Sequence, residues 1–222
     1  MPAYQNAGDL FYSDRLGQIS TYPEWTSDKL EATRRTLEEL LEKRDTLTEE
    51  EFNRGQTNYY WTSYVLRRLG FCHSCSERAP GEADTRPDYT LFYDSADFFR
   101  ARDYRGSRDF FAQALAVIRS VGWTDTLDEV TEEDGTTSNP AVELDRYLRD
   151  TGVNWGILTN GQQWRLYHRD TSGLLSTYYE VDLVEALKSN DLNDFRYFWM
   201  VFSPSGLGGS NRGDAIVNRL YD

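Results

Sequence analysis

The sequence predicts an α/β protein of the α+β kind, with a mixed central sheet flanked by helices and further helices on its N-terminal side. Three observations predict it. Around Asn160-Gly161, two runs alternate with a period of two: Val153, Trp155 and Ile157 against Asn154, Gly156 and Leu158, then Trp164 and Leu166 against Arg165 and Tyr167. Such alternation on both sides of an Asn-Gly pair reads as an antiparallel hairpin, with a type I′ turn whose two central residues have φ > 0. Two further short runs, YTLFY at 89–93 and ALAVI at 114–118, have the composition of buried strands. Before them, leucines and tryptophan recur at helical spacing.

Taken in order, residues 1–25 are aromatic-rich and irregular. Ser27 or Asp28 can cap a helix running to Arg44, with Leu30, Leu37, Leu40 and Leu41 as its apolar stripe. A polar break at 45–55 precedes a helix at 56–69 that carries Trp61, Val65, Leu66 and Leu69, and Gly70 suits its C′ position. Residues 77–86 read as a charged loop, 95–109 as mixed and partly helical, and 124–138 as acidic loop. Pro140 behind Asn139 starts a helix to about Asp150. After the hairpin come a β-rich run at 177–181, a short helix at 184–188 and a buried aromatic segment at 194–202. The Gly/Ser-rich stretch 203–213 reads as a linker, and 215–221 as the beginning of a further helix. The domain division is 1–55 as an aromatic and helical lead-in, 56–203 as the α/β core and 204–222 as linker plus following helix.

The chain has 222 residues, enough for a substantial core, and its net charge is −13. Only three of the 24 basic residues are lysines (Lys29, Lys43, Lys188); the other 21 are arginines. Such a surface suits a salt-rich cytoplasm, or a mimic of DNA; the spread of acids along the whole chain favours the first, halophilic reading. At molar salt the Debye length falls to about 3 Å, so this charge does not exclude DNA as a partner. No apolar run reaches membrane-spanning length, no secretory signal opens the chain, and two cysteines do not make a disulfide scaffold. The expectation is a soluble cytoplasmic protein without membrane contact.

The hairpin TGVNWGILTNGQQWRLY at 151–167, together with LFYSDRL and YPEW near the start, Pro87-Asp88 ahead of a strand, and Asn139-Pro140, resembles the N-terminal PD-(D/E)XK nuclease-like domain of restriction–modification polypeptides that fuse an endonuclease to an adenine methyltransferase. The resemblance runs over nearly the whole chain. It implies a restriction-endonuclease-like fold in which hard oxygen ligands hold a divalent metal ion and a lysine lies near the attacking water. It places Asp88 as the aspartate of the first motif.

At the other motif positions this chain departs from the family. With Trp123 and Leu127-Asp128 setting the register, Arg119 stands where the second metal-binding acid belongs and Val121 where the lysine belongs. A helix motif similar to NEAQT reads Asn53-Arg54-Gly55-Gln56-Thr57, so Arg54 takes the glutamate position, and Glu143 takes a position usually held by glutamine. Arginine cannot ligate a cation, and valine cannot position a water. The expectation is a catalytically inactive nuclease-like domain from a restriction–modification or phage-defence protein, with DNA binding or scaffolding as its role. No cofactor is expected. Arg54 and Arg119 are its candidate phosphate contacts, and duplex DNA, a methyltransferase or other defence-system subunits are its candidate partners. An active endonuclease using Mg²⁺ or Mn²⁺, with Asp88 as a metal ligand and relocated partners among Asp103, Asp109, Asp125 and Glu129, is the alternative. A protein-interaction or regulatory module is the third reading.

Other features read as structural. Cys72-His73-Ser74-Cys75 offers three zinc ligands where a closed site needs four, and reads as a helix-end turn. Arg67-Arg68 and the arginines between 100 and 108 can touch phosphates but read as a solvated face. Trp155 and Trp164 can stack on bases but have the spacing of core residues.

Overall fold

The structure, a computed structural model, describes residues 3–46, 52–81, 84–131, 135–209 and 214–222. It is a mixed α/β fold, as the sequence predicts. A seven-stranded sheet has the order β1-β9-β8-β7-β4-β3-β2, built from β1 (Tyr4–Ala7), β2 (Cys72–Cys75), β3 (Tyr89–Phe92), β4 (Ala116–Ser120), β7 (Trp155–Thr159), β8 (Gln163–His168) and β9 (Tyr178–Asp182). Its one parallel pair is β4 with β7; the other neighbours are antiparallel. A parallel pair needs a crossover, and the chain crosses between them through a small ribbon, β5 (Val130–Thr131) with β6 (Thr137–Ser138), and a helix.

The helices are α1 (Ser13–Leu16), α2 (Asp28–Arg44), α3 (Arg54–Thr57), α4 (Ser63–Leu69), α5 (Ser95–Ala101), α6 (Arg108–Phe111), α7 (Pro140–Thr151), α8 (Leu183–Lys188), α9 (Leu192–Phe202), α10 (Pro204–Gly208) and α11 (Ile216–Tyr221). A π-helical turn, Asn58–Thr62, joins α3 to α4 without a break. The helix expected at 56–69 therefore begins two residues earlier, at a capping box in which the Asn53 side chain accepts from Gln56 N–H and the Gln56 side chain accepts from Asn53 N–H.

Strand alternation sorts the core into two layers. One face carries Ala116, Ile118, Trp155, Ile157, Trp164 and Leu166, packed against α2, α4, α8, α9, α10 and α11. The opposite face carries Val117, Val121, Leu158 and Tyr167, packed against residues of α5, α6 and α7. The face assignment of the hairpin holds except at Val153, which precedes the strand and packs on the α7 side.

Four expectations change. The turn at Asn160-Gly161 is not type I′: Gly161 has φ +91°, but Asn160 does not have positive φ, and Thr159 pairs with Trp164. The loop therefore has four residues, and Asn160 Oδ1 accepts from the N–H groups of Gln162 and Gln163 at 3.0 and 2.8 Å. The reason is tertiary: the Gly161 carbonyl accepts the indole N–H of both Trp61 (2.8 Å) and Trp164 (3.1 Å), which fixes the tip against α3–α4. Cys72–Cys75 is not a helix-end turn but an edge strand paired with β3. Residues 4–7, read as irregular, form the other edge of the sheet by pairing with β9. Residues 204–208, within the stretch read as linker, form α10, whose Leu207 is buried, and α11 buries Ile216, Val217 and Leu220 in the same layer. Parts of the expected loops, residues 47–51, 82–83, 132–134 and 210–213, lie outside the described residues.

Candidate functional site

Asp88 sits at the entrance to β3, where its N–H donates to Ile118 O at 2.8 Å. This pairing sets its side chain beside the last residues of β4. Arg54, on the first turn of α3, reaches the carboxylate with Nη2, 2.8 Å from Oδ1 and 3.0 Å from Oδ2. Ser120 N–H donates to Oδ2 at 2.8 Å, and Asn58 Nδ2 lies 3.4 Å from Oδ1. Arg119 Nη1 lies 3.8 Å from Oδ2, while its Nε donates to Glu143 on α7. Four of the five residues that the sequence placed at the motif positions, Arg54, Asp88, Arg119 and Glu143, thus form one chain of alternating charge. Two carboxylates face two guanidiniums, and the formal charges cancel.

The two arginines differ in setting. Arg119 is 2% exposed, while the Arg54 side chain is 42% exposed at the rim. Burial pulls the Arg54 guanidinium down, but Asp88, with Tyr147 and Glu143 adding to it, more than offsets this, so its pKa is raised. Tyr147 of α7 borders the quartet. Burial, with Glu143 and Asp88 adding to it, pushes its phenol up to about 12. Val121 shares the strand face of Arg119 but lies in the apolar layer with Val117 and Leu144, 1% exposed. No polar side chain takes the lysine position.

The Asp88 carboxylate is occupied by donors from its own chain. Both Asp88 oxygens already accept strong donors. An ion bound at about 2.1 Å would lie no more than about 5 Å from Arg54 Nη2. At that distance the guanidinium charge opposes the ion. The alternative acids complete no metal-binding group of three with Asp88 among the described residues. Asp103, Asp109 and Glu129 are exposed, and Asp125 Oδ2 caps Gly122 N–H at 2.8 Å. Among the described residues, no group of three His, Cys, Asp or Glu side chains could hold a metal ion. Compared with family models, curated proteins and solved structures, the chain matches none.

The remaining sequence candidates resolve into structure. In β2, alternation turns His73 and Cys75 toward one face and Cys72 toward the other, so the three possible zinc ligands diverge. Trp155 and Trp164 are core residues: the Trp155 indole donates to Asn218 Oδ1 at 2.9 Å, and Trp164 is fully buried. Among the arginines at 100–108, Arg100 pairs with Asp97, Arg102 with Asp103 and Arg105 with Glu77. Arg67 is different: it lines a cleft beside Asp88. Sequence reasoning missed Asn58, Tyr59 and Tyr64, which share that cleft. Their signal was available: Tyr59 and Tyr64 stand out as aromatics off the Trp61, Val65, Leu66 and Leu69 stripe. No helix among the described residues is long and apolar enough to cross a membrane.

Proposed function

We propose that this chain is a catalytically inactive nuclease-like domain of a restriction–modification or phage-defence system, retaining a DNA-binding or scaffolding role. The observation that supports this reading is the state of the Asp88 carboxylate. It accepts from Arg54 and from Ser120 N–H, with Arg119 behind it, where metal-dependent cleavage would need free oxygens and a second acid. Arginine stays charged across the accessible pH range, so neither Arg54 nor Arg119 can take the proton of an attacking water.

The quartet is then a structural clamp joining α3, β3, β4 and α7. It holds the frame of a nuclease site in a neutral state that does not repel a phosphate backbone. The test is incubation of supercoiled plasmid with Mg²⁺ or Mn²⁺ at molar salt, comparing the parent with Asp88→Ala. No nicking above background by either protein is expected. Cleavage by the parent that disappears in Asp88→Ala would overturn the reading in favour of an active endonuclease.

A further inference from the structure

Beside the quartet lies a cleft of about 400 Å³, within the range of roughly 300–1,000 Å³ usual for small-molecule sites. One wall is the π-turn and the start of α4, with Asn58, Tyr59, Tyr64 and Arg67; the other is β2 and the entrance to β3, with His73 and Asp88. The π-turn shapes this wall, and such turns often occur at functional sites.

The chemistry of the walls is uneven. Tyr59 is 67% exposed and Tyr64, beside whose ring both Arg67 and Arg68 lie, is 39% exposed, so Tyr59 offers the larger stacking surface to a planar partner. Arg67 is exposed and lies over the Tyr64 ring, 5.8 Å from its centroid, but makes no ion pair with any described residue. Asp88, the acid of this cleft, is already neutralised by Arg54 and Arg119. The Asn58 Oδ1 atom is buried at the cleft wall and accepts no hydrogen bond. The cleft therefore combines stacking surface, one uncompensated cation and a polar amide.

We propose that this cleft binds a nucleotide, its base against Tyr59 and Tyr64 and its phosphate on Arg67. Aromatic side chains stack on any base, and a guanidinium binds phosphate through two parallel hydrogen bonds. The same chemistry serves a free nucleoside monophosphate or one unstacked nucleotide of a single strand. The inference stands on the cleft itself and holds whether or not the Asp88 quartet is inactive.

Calorimetric titration at molar salt with each of the four deoxynucleoside 5′-monophosphates, deoxyadenosine, inorganic phosphate and a short single-stranded oligonucleotide tests it. At least one nucleotide is expected to bind at least tenfold more tightly than deoxyadenosine or phosphate. Arg67→Gln and Tyr64→Ala should each weaken that binding at least tenfold; both residues are exposed, so folding is not at stake. Arg102→Gln, outside the cleft, should leave it unchanged. An oligonucleotide that binds more tightly than any mononucleotide assigns the site to a nucleic-acid strand, and the reverse order assigns it to free nucleotide. Absence of binding by all the nucleotides, or binding indifferent to Arg67→Gln and Tyr64→Ala, overturns the proposal. Plasmid cleavage by the parent protein would contradict the inactive reading and leave this one standing.

Discussion

Arg119 and Arg54 grip the same carboxylate under different conditions, and their removal should separate them. Arg119 is buried between Asp88 and Glu143; truncating it leaves Glu143 without its partner and Asp88 with less compensation. Arg119 is itself buried, but Glu143 is 41% exposed and Asp88 keeps Arg54, so Arg119→Ala should lower unfolding stability in a urea titration by about 2 kcal/mol, less than the loss of a fully buried pair. Arg54→Ala, at the solvent rim, should cost about 1 kcal/mol or less. Equal losses would contradict the arrangement. His73 supplies a second residue-scale prediction. Burial, with Arg67 nearby, pulls its pKa from 6.5 down to about 4. A histidine that is harder to protonate when folded withdraws stability as pH falls. Its contribution is full above pH 6.5 and drains away down to about 4. Proton NMR of the two histidines should therefore show one titrating near 4 in the native protein, and His73→Gln should flatten the acid loss of stability across that window. Among these residues, Asp88, Arg54, Arg119 and Glu143 were legible only through their motif positions. That they contact one another depends on the register of β3 against β4, which no local pattern encodes.

At the scale of elements, legibility follows how much of an element's conformation is decided locally. The Asn139 cap, Pro140 and the Gly152 terminus define α7 within its own sequence, and the leucine stripe defines α2. The tip of the hairpin is not local. A Cβ on Gly161 would lie 2.9 Å from the Trp61 ring and 3.1 Å from Trp123, so its glycine answers to three packed elements as well as to turn geometry. The edge strands β1 and β2 are four residues each and mixed in polarity, too short for alternation to register. α10 was hidden by composition, since PSGLGG reads as linker. Yet its Gly206 is packed against backbone: an added Cβ would meet the Met200 carbonyl and lie 2.8 Å from Val201 O. Gly206→Ala should therefore destabilise by more than about 1 kcal/mol in thermal or urea unfolding. In a flexible linker the same change would be neutral or mildly stabilising, and that result would contradict the packing of α10.

Across the whole molecule, the fold class was the most legible property and the turn and edge details the least, because layer architecture follows from hydrophobic period while edges follow from pairing. The two apolar layers hold β3 and β4 so that Asp88 meets Ser120 N–H, and α7 then delivers Glu143 to Arg119. Arg54 and Arg119 compensate Asp88 and Glu143 at the quartet, while Arg67 beside the cleft makes no ion pair among the described residues. If the Asp88 centre is closed to a divalent ion by its own arginines, no metal ion should bind there. The most direct test is Mn²⁺ titration at molar salt, followed by electron paramagnetic resonance, on the parent and on Asp88→Ala. No stoichiometric Mn²⁺ site that depends on Asp88 is expected, so the two titrations coincide. One tightly bound Mn²⁺ per chain, lost in Asp88→Ala, would contradict it.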